Sequence, residues 1–442
     1  MIRKRRATML ASACLALATA PGPAGAQASV GAQESAGGEA LLLRPDRVFD
    51  GTQLHEGWAV LVRGERIAAA GAAESLETPP DARVLELPGA TLLPGLIEGH
   101  SHLFLHPYDE TSWRDQVLGE SLAERTARAV VHAEASLLTG VTTMRDLGTE
   151  GAGYADAGLK TAIEKGIIPG PRLIVTTRAI VATGAYGPRG APEHRLPKGA
   201  EVADEADLVR VTRDQIGRGA DWIKIYADYR WGPNREARPT FTQEELALVV
   251  RVAGSSGRPV VAHASTAEGM RRATLAGVRT IEHGDGGTSE VFALMAERGV
   301  ALCPTLAAAE AVALYAGWRK DAQPEPPRIR AKRESFRLAL EAGVPICFGG
   351  DVGVYPHGDN VRELVLMVDY GMSPLEALRT ATSGNARIFN LGGLGHIKPG
   401  RIADLIAVPG DPTLDISTLR QVELVMKGGK IVKAPRKAFQ AP

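Results

Sequence analysis

The chain has little cysteine and no net charge. It has 442 residues, of which 3 are Cys, and 51 basic residues balance 51 acidic ones. Without a basic excess or a basic patch, a nucleic-acid partner is not expected. Two cysteines beyond the N-terminal region are too few for a disulfide framework. Cys303 and Cys347 each lie in a short apolar run, so we predict two buried thiols.

Long hydrophobic runs are also scarce, and the one clear run is N-terminal. Residues 2–6 are mostly basic, residues 7–20 are apolar, and an A-x-A site ends at Ala26. This order predicts a cleavable signal peptide over residues 1–26 and export to the periplasm or the medium. The run is short for a bilayer crossing and no second run follows, so no membrane association is expected. Lipid attachment at Cys14 is the alternative.

The middle of the chain repeats one pattern, in which a helix ends in glycine and an apolar strand follows. Glycine suits this position because it adopts the left-handed conformation that ends a helix. The repeated glycines are Gly140, Gly166, Gly219, Gly257, Gly277, Gly299 and Gly343. With a first strand at 91–102, the pattern gives eight strands and predicts an α/β protein with a (β/α)8 TIM barrel. An open doubly wound sheet is the alternative. Capping boxes that begin at Thr242 and Ser373 support the helix assignments.

The regions on either side of the barrel have the alternation of β-strands instead. We predict a disordered linker over 27–39, a barrel over 94–391, and strands over 40–93 and 392–436. The second strand region contains a Gly428-Gly429 hairpin turn. Neither strand region is long enough for its own core, so we expect both chain ends to combine into one small β-sandwich.

The first barrel strand ends in Gly99-His100-Ser101-His102. Alternate residues of a strand point to the same side, so both histidines are expected to face the barrel interior at its carboxyl-terminal mouth. A single strand histidine is commonly a core residue, but two buried imidazoles at one mouth favour a bound ligand. Ser101 faces away, and no G-x-S-x-G motif accompanies it, which argues against a serine nucleophile.

Four further polar side chains fall on later barrel strands. They are Lys224 on strand four, His263 on strand five, His283 on strand six and Asp351 on strand eight. Each alone is a weak signal, because a strand histidine is often structural and an aspartate often caps the next helix. A barrel brings these strand ends around one cavity, so the set as a whole predicts a metal centre.

The segment PGLIEGHSH, together with this lysine, these later histidines and Asp351, resembles the amidohydrolase superfamily, in the branch with a bridged binuclear centre. The resemblance implies that His100, His102 and Asp351 hold one divalent ion. It implies that His263 and His283 hold the other, and that N6-carboxylated Lys224 bridges the two. Imidazole and carboxylate ligands suit zinc.

The reaction expected of such a centre is attack by a metal-bridging hydroxide on an amide carbonyl. Asp351 would take the proton of that water and pass it to the leaving nitrogen. One alternative for Lys224 stays open at this point. It could form a buried ion pair with Asp351 or Glu282 around a single metal.

A finer resemblance, carried by Lys224-Ile225-Tyr226 and the segment 351–358, is to the Xaa-Pro dipeptidase and imidazolonepropionase-like group. That group includes bacterial amidohydrolases that split ochratoxin A. The resemblance to this group implies a small amide substrate, either a dipeptide or an N-acyl amino acid. The loops at the barrel mouth would set specificity. Tyr226, Arg230, His357 and His194 are the predicted substrate contacts, because a terminal carboxylate needs cationic or hydrogen-bonding partners.

Two other functions remain open. One is a mononuclear relative that acts on a cyclic imide, as an imidazolonepropionase does, or as a deaminase. The other is a non-catalytic metal-binding scaffold, which is disfavoured because every ligand position is filled. The resemblance also implies a homo-oligomer.

Overall fold

The computed structural model describes residues 40–190, 196 and 198–435. The predicted signal peptide, the linker, Cys14 and His194 lie outside the described residues, and those assignments stay predictions. The domain limits also stay predictions. Among the described helices, none combines the length and hydropathy that crossing a bilayer requires.

The described chain forms 19 β-strands, most of them short. In order, they are β1 (Ala40–Phe49), β2 (Leu54–Glu56), β3 (Trp58–Arg63), β4 (Arg66–Ala72), β5 (Arg83–Pro94), β6 (Leu96–Ser101), β7 (Val141–Asp146), β8 (Arg172–Val175), β9 (Ile180–Val181), β10 (Glu201–Val202), β11 (Ile223–Tyr226), β12 (Asp228–Arg230), β13 (Ala237–Pro239), β14 (Val260–Thr266), β15 (Thr280–Gly286), β16 (Ala301–Cys303), β17 (Leu405–Pro409), β18 (Leu424–Lys427) and β19 (Lys430–Lys433).

Helices separate most of the strands from β6 to β16. These are α1 (Trp113–Gly119), α2 (Leu122–Leu138), α3 (Ala155–Glu164), α4 (Glu205–Gly217), α5 (Gln243–Gly254), α6 (Ala267–Ala276) and α7 (Ser289–Arg298). Five more follow β16: α8 (Leu306–Tyr315), α9 (Pro327–Glu341), α10 (Val361–Asp369), α11 (Pro374–Arg379) and α12 (Asn385–Ile388). A π-helical segment, Thr380–Gly384, joins the last two.

The helix-ending glycines and the capping boxes predicted from the sequence are present in the structure. All seven repeated glycines have φ between 65° and 104°. At the end of α6, for example, Gly277 has φ 90° and its N–H donates to the carbonyl of Ala273. The capping boxes at Thr242 and Ser373 both form. The mixed α/β class is therefore confirmed.

Both chain ends contribute to one eight-stranded sheet, with the order β19-β18-β17-β5-β1-β3-β4 and with β2 paired to β1. The Gly428-Gly429 turn joins β18 to β19 as predicted. This sheet supports the expected small β domain made by both chain ends. The two ends lie side by side because β5 pairs with β1 along one edge and with β17 along the other.

The interior strands form two parallel sheets. One is β6-β7-β8, and the other is β10-β9-β11-β14-β15-β16. Seven of the eight predicted interior strands are present. The eighth, predicted at residues 344–351, has only an isolated parallel bridge from Ile346 to Leu302, and a second one follows directly after it, from Val352 to Ser101. Two consecutive glycines and a positive φ at Asp351 keep this segment from extending as a regular strand.

The prediction of free thiols is wrong. Cys303 and Cys347 are fully buried, as expected, but their sulfur atoms are 2.07 Å apart and form a disulfide. The bridge between Leu302 and Ile346 places the next residue of each segment side by side. This pairing joins residues 44 positions apart, and only the order of strands in space could reveal it.

Candidate active site

A cavity of about 630 Å³ opens where β6, β14 and β15 end. Five of the six predicted metal ligands line it: His100, His102, His263, His283 and Asp351. Other polar residues of the lining include Tyr108, Glu150, Tyr186, Tyr226, Asp228, Tyr229, Arg230, Asp285, Thr305, Arg328 and Lys332. Lys224 is not part of the lining.

The two histidines of the first strand are oriented by hydrogen bonds at Nδ1. That of His100 lies 2.7 Å from Glu282 Oε2, and that of His102 lies 2.8 Å from the carbonyl oxygen of Gly148. Their Nε2 atoms lie 3.5 and 3.4 Å from Asp351 Oδ1. A partner on Nδ1 fixes each ring and leaves Nε2 for a ligand, as in metal-binding histidines. Ser101 donates to the carbonyl of Arg145, away from the cavity as predicted.

The two later histidines complete the cluster. The rings of His263 and His283 are 4.4 Å apart, and those of His283 and His100 are 5.2 Å apart. Thr305 Oγ1 lies 2.8 Å from His283 Nδ1. His100, His283 and Asp351 each offer an atom within 4.8 Å of the others, close enough to share one cation. The donor set of the cluster therefore fits a metal ion.

Several cavity residues have a backbone conformation that is rare outside glycine. The φ angles are 47° at Glu150, 77° at His283, 52° at Thr305 and 64° at Asp351. Such residues cost on the order of 1–3 kcal/mol each and concentrate at functional sites. Their presence in one cavity is a mark of function that does not depend on side-chain chemistry.

Burial keeps the histidines neutral, which is the form that binds a metal. It lowers the pKa of His100, His102 and His283, and with the charge of Lys224 it lowers the pKa of His263 to about 3. Burial raises the pKa of Asp351 to about 7, although Lys224 opposes the shift.

Lys224 is 1 % exposed, and burial lowers its pKa to about 8. In the described chain no carboxylate lies within 4.0 Å of its Nζ. Glu282, one of the two partners considered, instead pairs with Arg145 at 2.9 Å. The Nζ atom is 5.6 Å from the centre of the Tyr226 ring. Glu282 and Asp351, the two carboxylates of the alternative interpretation, still act on Lys224 through their charges and raise its pKa against the larger effect of burial.

The predicted substrate contacts separate into two groups. Tyr226 and Arg230 both line the cavity. His357 does not, because its ring stacks on His132 at 4.3 Å and its Nε2 lies 3.1 Å from the carbonyl oxygen of Leu105. His194 lies outside the described residues.

Some cavity residues were not predicted. Glu150 follows β7 by four residues, so its position just after an interior parallel strand was an available signal. Lys332 is on α9, where nothing in the sequence distinguishes it from its basic neighbours. It is 3 % exposed, and its Nζ donates to the carbonyl of His283 at 2.8 Å and to Asp285 Oδ1 at 2.5 Å.

The model of the amidohydrolase family matches residues 91–432, which include every predicted metal ligand. The chain belongs to this family and is a hydrolytic enzyme that acts on C–N bonds.

Several named proteins and solved structures are similar to this chain. An ochratoxinase of Aspergillus niger is 31 % identical over 382 residues, which are 78 % of this chain and 76 % of that protein. A crystal structure of a Xaa-Pro dipeptidase with methionine bound in its active site has a TM-score of 0.78 and 31 % identity. The match covers 89 % of this chain and all of that one. The imidazolonepropionase of Geobacillus kaustophilus is 25 % identical, over 91 % of this chain and 96 % of that protein.

Proposed function

We propose that this enzyme hydrolyses the amide bond of dipeptides or N-acyl amino acids with a binuclear metal centre. The observation that carries the proposal is the convergence of four neutral histidines and Asp351 on one cavity, with three of the rings oriented at Nδ1. The relatives named as an ochratoxinase and a Xaa-Pro dipeptidase support an amide with a C-terminal amino acid. Ochratoxin A, which would yield ochratoxin alpha and phenylalanine, is one such substrate.

We infer that the two parallel sheets belong to one (β/α)8 barrel. The N–H of Asp221, just before β11, donates to the carbonyl of Val175 at the end of β8 at 2.8 Å. On the other side, residues 346–352 bridge β16 to β6. These contacts span both gaps between the sheets, and they explain why ligands from distant strands meet.

His100, His102 and Asp351 would hold one ion, and His263 and His283 would hold the other. Lys224 would bridge them after its neutral amine adds to carbon dioxide, which forms an N–C bond and releases a proton. Its pKa, lowered by burial to about 8, increases the fraction of the neutral amine that can react. Zinc bound there would polarise the amide carbonyl and acidify water.

The residues of the chain would bind the substrate and move its protons. Asp351 would accept a proton at its carboxylate and deliver it to the leaving nitrogen, a role suited to a carboxylate in the cavity lining beside the histidines. Tyr226 and Arg230, both in the cavity lining, would bind the carboxylate of the leaving amino acid.

The experiment is a release assay with zinc-loaded protein on dipeptides and N-acyl amino acids, ochratoxin A included, with detection of the freed amine. Lys224→Ala should be inactive and should bind less metal. Lys398→Ala, at an exposed lysine outside the cavity, is the matched control. Intact mass at neutral pH should show one added carbon dioxide that acid removes. Full activity of Lys224→Ala would refute the bridging role.

A mononuclear centre that acts on a cyclic amide is the second candidate. It is favoured by the tighter subset His100, His283 and Asp351, whose ligand atoms lie within 4.8 Å of one another, and by the similarity to imidazolonepropionase. One metal per chain and an unmodified Lys224 would support it against the binuclear centre.

A further inference from the structure

One wall of the cavity carries a carboxylate that the proposed reaction does not use. Glu150 is 3 % exposed and lies in the same cavity lining as His102. Its Oε2 accepts hydrogen bonds from Tyr186 Oη at 2.7 Å and from Trp113 Nε1 at 2.9 Å. Its Oε1 has a single, longer contact of 3.4 Å with Tyr226 Oη. All three neighbours donate to the carboxyl group, and Oε1 keeps acceptor capacity.

No cation of the described chain neutralises this carboxylate within 4.0 Å. The nearby guanidinium of Arg125 donates instead to main-chain carbonyls, those of Phe104, Thr149 and Glu150 itself. Arg125 and Glu150 still interact through their charges. The carboxylate nevertheless has no hydrogen-bonded cation, and a cationic ligand in the cavity would supply one.

Aromatic rings surround the carboxylate. The ring of Tyr186 is 4.9 Å from those of Tyr226 and Tyr229 and 5.4 Å from that of Trp113. Aromatic faces attract ammonium groups, and the attraction adds to that of a carboxylate. Carboxylate and rings together form a recognition site for an organic cation rather than for an acyl group.

We propose that Glu150 binds the α-ammonium group of the substrate, and that the enzyme therefore prefers dipeptides with a free amino terminus to N-acyl amino acids. This inference rests on the proposed amide hydrolysis and selects between its two substrate classes. In a dipeptide the ammonium is on the carbon next to the scissile carbonyl, so its binding site must border the metal ligands. Glu150 meets this requirement because a Cβ placed on Gly148 would lie 3.7 Å from Glu150 Oε1 and 3.7 Å from His102 Cε1, so the carboxylate and the ring flank the same glycine.

The test compares L-alanyl-L-phenylalanine with L-lactoyl-L-phenylalanine, in which a hydroxyl of similar size replaces the ammonium group. A hydrogen bond between charged groups predicts a kcat/KM about 10- to 100-fold higher for the alanyl compound with the wild-type enzyme. Glu150→Gln should remove this preference, through loss on the alanyl compound and little change on the lactoyl compound. Glu150→Asp, which keeps the charge, should retain part of it, and Glu86→Gln, at an exposed glutamate of β5, should retain all of it.

The results of this test separate the role of Glu150 from amide hydrolysis itself. Equal wild-type cleavage of both compounds, or an equal loss on both in Glu150→Gln, would overturn the role of Glu150 and leave amide hydrolysis standing. Cleavage of neither compound nor of any N-acyl amino acid would overturn both proposals. The wild-type comparison needs no variant, so poor folding of Glu150→Gln would not prevent a decision.

Discussion

Each ligand of the candidate centre depends on residues behind it. Glu282 has no solvent exposure and lies one position before His283. One of its oxygens lies 2.7 Å from His100 Nδ1, and the other accepts from Arg145 at 2.9 Å and from Thr280 Oγ1 at 2.6 Å. This carboxylate therefore ties a ligand of β6 to a ligand-bearing strand on the other side of the cavity.

Replacing Glu282 with Gln should weaken metal binding. The amide keeps the size of the side chain but loses the charge that holds His100 and balances Arg145, so metal affinity should fall about 10- to 100-fold. Competition with a fluorescent chelator measures it. Glu297→Gln, at a glutamate whose side chain is 71 % exposed, is the control. Equal affinities of the wild type and Glu282→Gln would show that His100 is positioned without Glu282.

At the scale of elements, α8 begins without a cap of its own. Its N-cap residue, Thr305, has φ 52° and makes no capping hydrogen bond, because its hydroxyl is engaged with His283. The carboxylate of Glu363, on α10, accepts instead from the N–H groups of Leu306 at 3.0 Å and Ala307 at 2.6 Å. One helix thus caps another, which frees Thr305 to orient a candidate ligand.

Glu363→Ala should therefore destabilise the fold. Two buried N–H groups would lose their acceptor, and the free energy of unfolding should fall by about 1–3 kcal/mol. Chemical denaturation of wild type and variant measures the difference. Glu334→Ala, at an exposed glutamate of α9, should change it little. A variant as stable as the wild type would mean that water satisfies the two N–H groups.

At the scale of the molecule, two linkages hold distant segments together. Through β5, the sheet built from both chain ends continues directly into the first interior strand, β6. The disulfide of Cys303 and Cys347 joins the last two interior segments and closes a loop of 44 residues. A covalent link of this kind reduces the freedom of the unfolded chain more than that of the folded one.

Reduction of the disulfide should lower the free energy of unfolding by about 3–4 kcal/mol, from the loop length in the chain-entropy model. The measurement is the denaturant midpoint with and without a phosphine reductant. The double variant Cys303→Ala/Cys347→Ala should be equally destabilised and insensitive to reductant. Identical midpoints for oxidised and reduced wild type would contradict the stabilising role.

Local chemistry accounts for what the sequence determined by itself. Helix-ending glycines such as Gly277, capping boxes and apolar runs act over a few residues, so they defined the α/β class and seven of the eight interior strands. The strand histidines and Asp351 were found for the same reason, since a strand end is readable from its neighbours.

Only the tertiary structure decided which distant segments meet. It joined the chain ends in one sheet through β5 and paired Cys303 with Cys347. It placed Lys332 where its Nζ donates to the carbonyl of His283, and it stacked His357 on His132 away from the cavity. It also placed the carboxylate of Glu150 among aromatic rings from a helix start, a loop and two strands. Such contacts depend on strand order and packing across many residues, and no local pattern in the chain encodes them.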